Sequence, residues 1–382
     1  NKTMTNFNEP YLTNKEQDYI ADVFKRKQFY GSGYYTKKCQ EFISKKILVR
    51  NVLLTDSCTS ALEIVALLLR DWGADQEIIL PSYTFSSTAA AFARAGFKII
   101  FAEINPRTMM IDIADAKSKI TSNTVGIVIV HYGGFGADAK SFKQLCHANS
   151  IYLIEDAAQA FGCLEGDKHL GTIGDFGCYS FHETKNLHAG LSGALVIQND
   201  KFVDRATHIW ERGTNRQEVL KGLADKYSWV EIGGSFYPTE LQAAFLCAQL
   251  ESFDNNFNER KNIFQGYYDV FAESHNLGFY YPEISNDFSS NYHAFWVVFS
   301  CPEECDFIRL RLVEYKISAY IGYVPLHSSK VGISMGYKPD DLALTEQYSQ
   351  RILRLPLHNN MTNSEAKFIA DLTIKLAKEY RE

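Results

Sequence analysis

The sequence predicts an α/β protein: a large domain on a mostly parallel sheet, followed by a smaller C-terminal α/β domain. Three observations carry this. Between about residues 50 and 200, short β-rich runs alternate with helix-length stretches, as when parallel strands are joined through helices. The chain has 382 residues, more than one hydrophobic core usually serves. A single long helical pattern, Thr239 to Phe264, leads out of this region into a shorter, mixed remainder. That helix sets the expected boundary, with residues 1–250 in the large domain and 251–382 in the small one. The N-terminal segment is free to pack on the small domain.

The elements follow in order. Val52-Leu53-Leu54 is a strand, and Ala61 to Leu69 reads as a buried helix. Ile78-Ile79-Leu80 is a second strand, ended by Pro81-Ser82, and Lys98 to Phe101 is a third, preceded by a helix and Gly96. Val125 to Val130 and Tyr152 to Ile154 follow at helix-length intervals. The chain closes on an amphipathic helix with a capping box, Thr362 and Glu365, and apolar positions Phe368, Leu372 and Leu376.

Composition excludes several classes. Hydrophobic residues at 46% and charged residues at 22% describe an ordinary globular chain. The net charge of −6, with no basic block, argues against nucleic acid as the main partner. The eight cysteines are scattered without a C-x-x-C pair, so reduced buried thiols and no metal site are expected. No apolar run approaches the ~20 residues of a membrane span. The opening Asn1-Lys2-Thr3-Met4 shows no export-signal core, with Met4 a candidate natural start. A cytoplasmic location follows as the expectation.

In a parallel sheet, ligands bind beyond the carboxyl ends of the strands, and the chemistry-bearing residues cluster there. Asp156 ends the apolar run Ile151 to Glu155, where an unpaired acid is costly. A pyridinium N–H would pair with it; the alternative is a helix cap. Gln159 stands three residues on. Lys185 lies in Ser180-Phe181-His182-Glu183-Thr184-Lys185-Asn186. A lysine able to form a Schiff base and an acid able to hold a pyridinium nitrogen are what a pyridoxal-phosphate enzyme requires. The run Thr55-Asp56-Ser57-Cys58-Thr59-Ser60 joins a strand to a helix and offers amides and hydroxyls to a phosphate. Its alternative is a plain cap by Asp56 or Ser57. Phe85 after a strand can wall a flat ring, although such a residue is more often core. Ser180 adds a phosphate contact.

At these residues the sequence resembles the DegT/DnrJ/EryC1/StrS sugar-nucleotide aminotransferases, within fold type I of the pyridoxal-phosphate enzymes. The resemblance runs from Asn8-Glu9-Pro10 to Arg354-Leu355-Pro356-Leu357. It rests on Ser57-Cys58-Thr59, Pro81 to Phe85, Glu155 to Gln159, Leu170-Gly171-Thr172-Ile173-Gly174 and Pro325-Leu326-His327. His131-Tyr132-Gly133-Gly134, Ser180 to Asn186, Arg212 to Arg216 and Asp225 to Trp229 are similar to the dTDP-4-amino-4,6-dideoxygalactose transaminase subgroup.

The resemblance implies a pyridoxal 5′-phosphate enzyme passing through pyridoxamine 5′-phosphate. It would aminate C4 of dTDP-4-keto-6-deoxyglucose with glutamate as donor, releasing 2-oxoglutarate, for O-antigen or lipopolysaccharide synthesis. By the same resemblance, Lys185 is the Schiff-base lysine, Asp156 pairs with the ring nitrogen, Gln159 contacts the ring oxygen and Phe85 stacks on the ring. Cys58, Thr59 and Ser180 hold the phosphate, completed across a homodimer by Ser235. Tyr132, Asn215, Tyr323 and His327 fall near the sugar. Two departures stand out: Gly190-Leu191-Ser192-Gly193-Ala194 replaces the family's Gly-Glu-Gly-Gly-Ala, and Tyr237 replaces an arginine. The rival readings are a C3 aminotransferase and a non-catalytic regulatory protein on the same fold. A related 3-dehydratase branch carries His in place of Lys185.

Overall fold

The computed structural model describes residues 3–274 and 277–382. Its centre is a seven-stranded sheet. In chain order the strands are β1 (Val52–Thr55), β2 (Glu77–Pro81), β3 (Lys98–Ala102), β4 (Thr124–Val130), β5 (Tyr152–Asp156), β6 (Phe176–Ser180) and β7 (Gly193–Ile197). Their spatial order is β1-β7-β6-β5-β4-β2-β3. Pairings from β6 to β3 are parallel, and β7 pairs antiparallel with both β6 and β1. Six strands therefore point the same way, and the last residues of β1, β5 and β6 share one edge with Gly193, the first of β7.

Period-two alternation divides the strand residues between two cores. Ile79, Ile127, Ile129, Leu153, Tyr179 and Val196 belong to one cluster. Ile78, Leu80, Val128, Ile154, Cys178 and Leu195 belong to the other. A sheet buried on both faces needs apolar residues at consecutive positions, which is why these strands read as continuous apolar runs. Helices α1 (Cys58–Leu69) and α2 (Ser86–Arg94) open directly off β1 and β2. Their N-termini stand on the carboxyl edge.

The pattern from Thr239 to Phe264 forms two helices rather than one. The first, α3 (Glu240–Glu251), ends at Ser252, and α4 (Phe253–Ala272) begins beyond it. Along α3, Ala243, Ala244 and every residue from Leu246 to Leu250 are buried, whereas α4 presents Ile263, Phe264, Tyr267 and Phe271 to a third core. One straight axis cannot serve both surroundings. Ser252 turns the chain there, with its hydroxyl on that of Tyr11 (3.2 Å).

The third core lies beneath a three-stranded antiparallel sheet of β8 (Phe295–Val298), β9 (Tyr320–Ile321) and β10 (Ile352–Leu355), with β10 central. The N-terminal segment joins this part: the Thr5 amide donates to Lys316 O (2.9 Å) and the Leu357 amide to Phe7 O (3.3 Å). The final helix, α5 (Asn363–Arg381), carries the expected box of Thr362 and Glu365. Its buried stripe centres on Ile369, Thr373 and Leu376, and Phe368 sits at the margin, 46% exposed. All eight cysteines are free, seven of them buried. Among the described residues, no helix is long and apolar enough to cross a membrane.

Candidate active site

Asp156 is the last residue of β5 and is buried. Its Oδ2 accepts from Thr88 Oγ1 (2.7 Å) and its Oδ1 from the Ala158 amide (3.1 Å). No helix starts at this turn, so Asp156 caps none. Burial pushes its carboxyl above the ordinary 3.8, against the pull of Thr88, Ala158 and Lys185. Thr88, on α2, was not singled out from sequence. Its signal was a hydroxyl in an alanine-rich helix three residues past Phe85.

Lys185 follows β6 by five residues and is half-buried. Burial holds its amine below the ordinary 10.5; Cys58 and Asp156 oppose this and Arg354 adds to it. Lys185, Gln159 and Ser180 line one pocket with Asn186, Asn291 and His293. Gln159 is held at both ends: its Oε1 accepts from the Gly133 amide (2.7 Å), and its Nε2 donates to the Tyr323 hydroxyl (2.9 Å). The Ser180 hydroxyl accepts from the His182 amide (3.3 Å) and keeps its own proton to donate. His293 was missed from sequence. Its Nδ1 meets Asn186 Oδ1 (2.8 Å), and burial, with the charges of Lys185, Arg260 and Arg354, holds it well below 6.5 and therefore neutral.

The turn from β1 into α1 has the form of an anion cup. Ser57 caps the helix by accepting from the Ser60 amide (3.0 Å). Cap and cup coexist, because the amides of Cys58 and Thr59 have no protein acceptor among the described residues. Gly193 crosses just behind. A Cβ there would lie 2.5 Å from the Cys58 amide nitrogen, so only glycine permits this approach. The neighbouring departure from the family pattern is accommodated: Ser192 Oγ donates to Thr55 O (2.9 Å), and Leu191 faces out. Phe85 stands at the start of α2 with 60% of its surface exposed, a bare ring at the end of β2.

The edge is braced from behind. Glu155 accepts from the amides of Gly171, Ile173 and Gly174 (2.8 Å each) and from His131 Nε2 (2.9 Å). His131 Nδ1 accepts from the Ala137 amide (3.0 Å), which fixes the Nε2–H tautomer. The run Leu170 to Gly174 is thus a nest around a buried carboxylate.

Residues 10–373 match the DegT/DnrJ/EryC1/StrS aminotransferase family. The chain belongs to that family. It is accordingly an aminotransferase that uses pyridoxal 5′-phosphate. A dTDP-4-dehydro-2,3,6-trideoxy-D-glucose 4-aminotransferase from Saccharopolyspora spinosa is 27% identical over 96% of this chain and 95% of its own. A UDP-N-acetyl-3-dehydro-alpha-D-glucosamine 3-aminotransferase from Acidithiobacillus ferrooxidans is also 27% identical, over 82% and 81%. The crystal structure of the aminotransferase TlmJ from Streptoalloteichus hindustanus superposes with a TM-score of 0.89 at 24% identity, over 99% of this chain and 100% of that one, a likeness of fold. The residues on the carboxyl edge fit the cofactor: a buried acid with no ion pair among the described residues, a lysine of lowered pKa, an open anion cup and a bare aromatic ring.

The four residues expected near the sugar divide. Tyr323 borders the site through Gln159. Tyr132 lies behind it, 2% exposed, its hydroxyl accepting from Tyr83 (2.9 Å). His327 is an interior residue. It is fully enclosed, with Nδ1 on Ser82 Oγ (2.6 Å), Nε2 on Pro339 O (3.0 Å) and its amide also on Ser82 Oγ (2.9 Å). It braces the 325–339 segment on the end of β2 and leaves no edge for a sugar. Asn215 clamps a loop: its Nδ2 donates to Lys226 O (2.9 Å), and its Oδ1 accepts from the Ser228 amide (2.8 Å). Ser235 is exposed, and the carbonyl of its neighbour Phe236 accepts from the Asp56 amide (2.9 Å). Tyr237 fills the arginine's place by packing on Trp210 and Tyr30 (5.5 and 5.6 Å between ring centroids).

Two outcomes follow. The folded pKa of Asp156 lies above 3.8, so stability falls as pH rises through the window just above 3.8. Asp156→Asn removes that penalty. Cofactor-free variant should melt no lower than wild type at neutral pH, while turnover falls by several orders of magnitude. Reduced melting with unchanged turnover would make Asp156 a purely structural residue. His327→Ala should cost about 2–3 kcal/mol in urea unfolding, from lost buried hydrogen bonds and packing. It should slow the donor and sugar half-reactions alike in stopped-flow spectra, whereas a selective loss in the sugar half would return His327 to the substrate site.

Proposed function

We propose that this enzyme transfers the amino group of glutamate to C4 of a dTDP-linked 4-keto-6-deoxyhexose, giving the 4-amino-4,6-dideoxy sugar of galacto configuration. The observation that carries the reading is Lys185 sharing one pocket with Gln159, beside Asp156 at the end of β5. The choice of C4 rests on the subgroup blocks His131 to Gly134, Arg212 to Arg216 and Asp225 to Trp229. A relative named as a 4-aminotransferase over nearly its full length supports it.

The cofactor supplies a ring that accepts the electrons left when a carbon loses its proton. Asp156, ionised once paired with a cation, keeps the ring nitrogen protonated. Phe85 walls one face, and Gln159 orients the ring oxygen. The Cys58 and Thr59 amides and the Ser180 hydroxyl take the phosphate. Lys185 links the cofactor and moves a proton to and from the reacting carbon, work suited to an amine whose pKa has been lowered. Tyr323, held by Gln159, lies at the sugar's entry. The nucleotide supplies remote binding energy that orients the sugar.

The site is completed in a homodimer by Ser235 of the partner subunit. The segment that leads to this residue is unusually apolar for a free face: Trp229 is 76% exposed and Ile232 58%. Asn215 holds the Lys226–Ser228 segment that presents Tyr227 and Trp229.

Incubation with dTDP-4-keto-6-deoxyglucose and glutamate should release one 2-oxoglutarate per sugar, and NMR should place an axial amine on C4. An amine on C3, or no 2-oxoglutarate, would overturn the assignment. Sedimentation should show a C2 dimer at micromolar concentration; a fully active monomer would count against the shared site.

A further inference from the structure

We propose that the Tyr337 hydroxyl closes the free edge of the seven-stranded sheet by standing in for an eighth strand. Its effect is to keep a second copy of this chain from pairing there. β3 is the outer strand next to β2, and it reads Lys98-Ile99-Ile100-Phe101-Ala102. The Lys98 amide turns toward β2 and donates to Gln76 O (2.9 Å). By alternation along the strand, Ile99 and Phe101 point their amides and carbonyls outward. A β-branched and aromatic run with bare outward groups is a template for another strand.

The Tyr337 hydroxyl accepts from the Phe101 amide (3.0 Å) and donates to Ile99 O (2.9 Å). A residue opposite Ile100 on an added parallel strand would make the same two bonds with its own C=O and N–H. The ring packs edge-on against Phe101, with centroids 4.9 Å apart. Burial holds the hydroxyl above the ordinary 10, so it keeps the proton that it donates. Lys119 closes the next place: its Nζ donates to Phe101 O (3.0 Å) and pairs with Asp115 (2.7 Å). Of the four outward groups on Ile99 and Phe101, three are thus taken by side chains. The fourth, the Ile99 amide, is left beside a groove of about 440 Å³ lined by Phe97 to Ile100, Met335 to Tyr337 and Asp341.

Tyr337 reaches this edge from the excursion between β9 and β10, which belong to the small sheet. That excursion is pinned on both sides of Tyr337. Leu326 and His327 are bound to Ser82 before it, and the Leu344 and Thr345 amides donate to Glu103 after it (3.0 and 2.8 Å). The hydroxyl is therefore delivered by segments whose own bonds do not depend on it. Packing alone would need only the ring, whereas the hydroxyl serves the backbone of β3. A second copy is the occupant to exclude, because every copy carries the same edge. Two such edges meeting about a twofold axis would present identical apolar strands to each other.

The test follows the full chain as wild type, Tyr337→Phe and Tyr337→Ala by amide hydrogen exchange and sedimentation. In wild type the Phe101 amide should exchange as slowly as that of Ile100, which pairs inward with β2. Tyr337→Phe keeps the ring and loses the hydroxyl. Its Phe101 amide should exchange about 10-fold faster, the effect of one lost hydrogen bond, with Ile100 unchanged. It should sediment as wild type does, because the ring still covers the strand. Tyr337→Ala uncovers the strand and should form larger assemblies than wild type at micromolar concentration. A lysine-flanked peptide of residues 98–102 should bind this variant and break up those assemblies, and should leave wild type unbound. A fast-exchanging Phe101 amide in wild type would overturn the proposal, and this arm needs no variant. Equal acceleration of Phe101 and Ile100 in Tyr337→Phe would also overturn it, by making the hydroxyl a general stabiliser. Tyr337→Ala sedimenting as wild type would remove the exclusion of a second copy, and so would assemblies that the peptide leaves intact.

Discussion

A single carboxylate placed where it cannot be comfortable organises this protein. Asp156 ends an apolar strand in the middle of a sheet buried on both faces, and two neutral donors, Thr88 and Ala158, are its hydrogen-bond partners. Ionising an acid in such surroundings costs several kcal/mol unless a cation joins it. In the arrangement proposed here, the protonated ring nitrogen of the cofactor would repay that cost. Parallel strand direction then fixes what else can stand nearby, because the ends of β1, β2 and β6 lie along the same edge and bring the anion cup, Phe85 and the Lys185 segment with them.

The remaining site residues serve mainly to hold that edge still. Glu155 gathers three amides and a histidine directly behind Asp156. Gly193 lets β7 pass against the cup, and Ser192 stitches it to Thr55. Gln159 is fixed at both ends. Across the crevice, the small sheet contributes Arg354 and Trp296, and the segment after β9 contributes Tyr323. The cofactor side is thus built on strand ends and helix starts, while the facing wall comes from β8 to β10 and the segments beside them. The crevice lies between two separately cored parts.

How much of this could be read from the letters depends on the kind of interaction. Strand–helix alternation exposed the sheet, because burial on both faces leaves continuous apolar runs. Asp156 was legible because an acid ends an apolar run, and Lys185 because of its position downstream of Asp156 in a segment that resembles the family's. The break at Ser252 was not, since both α3 and α4 continue a helical period and their different burial is a tertiary matter. His327 and Asn215 sit in family-like blocks, yet their side chains are consumed by Ser82, Pro339, Lys226 and Ser228. A block of recognisable letters marks a constrained place without saying which constraint applies. Thr88 and His293 gained their place at the site only from neighbours distant in sequence.

In the proposed arrangement Lys185 and Asp156 hold one cofactor between them at the end of the sheet. The most direct measurement is borohydride reduction of the cofactor-loaded protein followed by peptide mass mapping. A pyridoxyl mass is expected on the peptide that carries Lys185 and on no other, with the label lost in Lys185→Ala. Labelling of a different lysine, or a loaded protein that takes up no label, would contradict it.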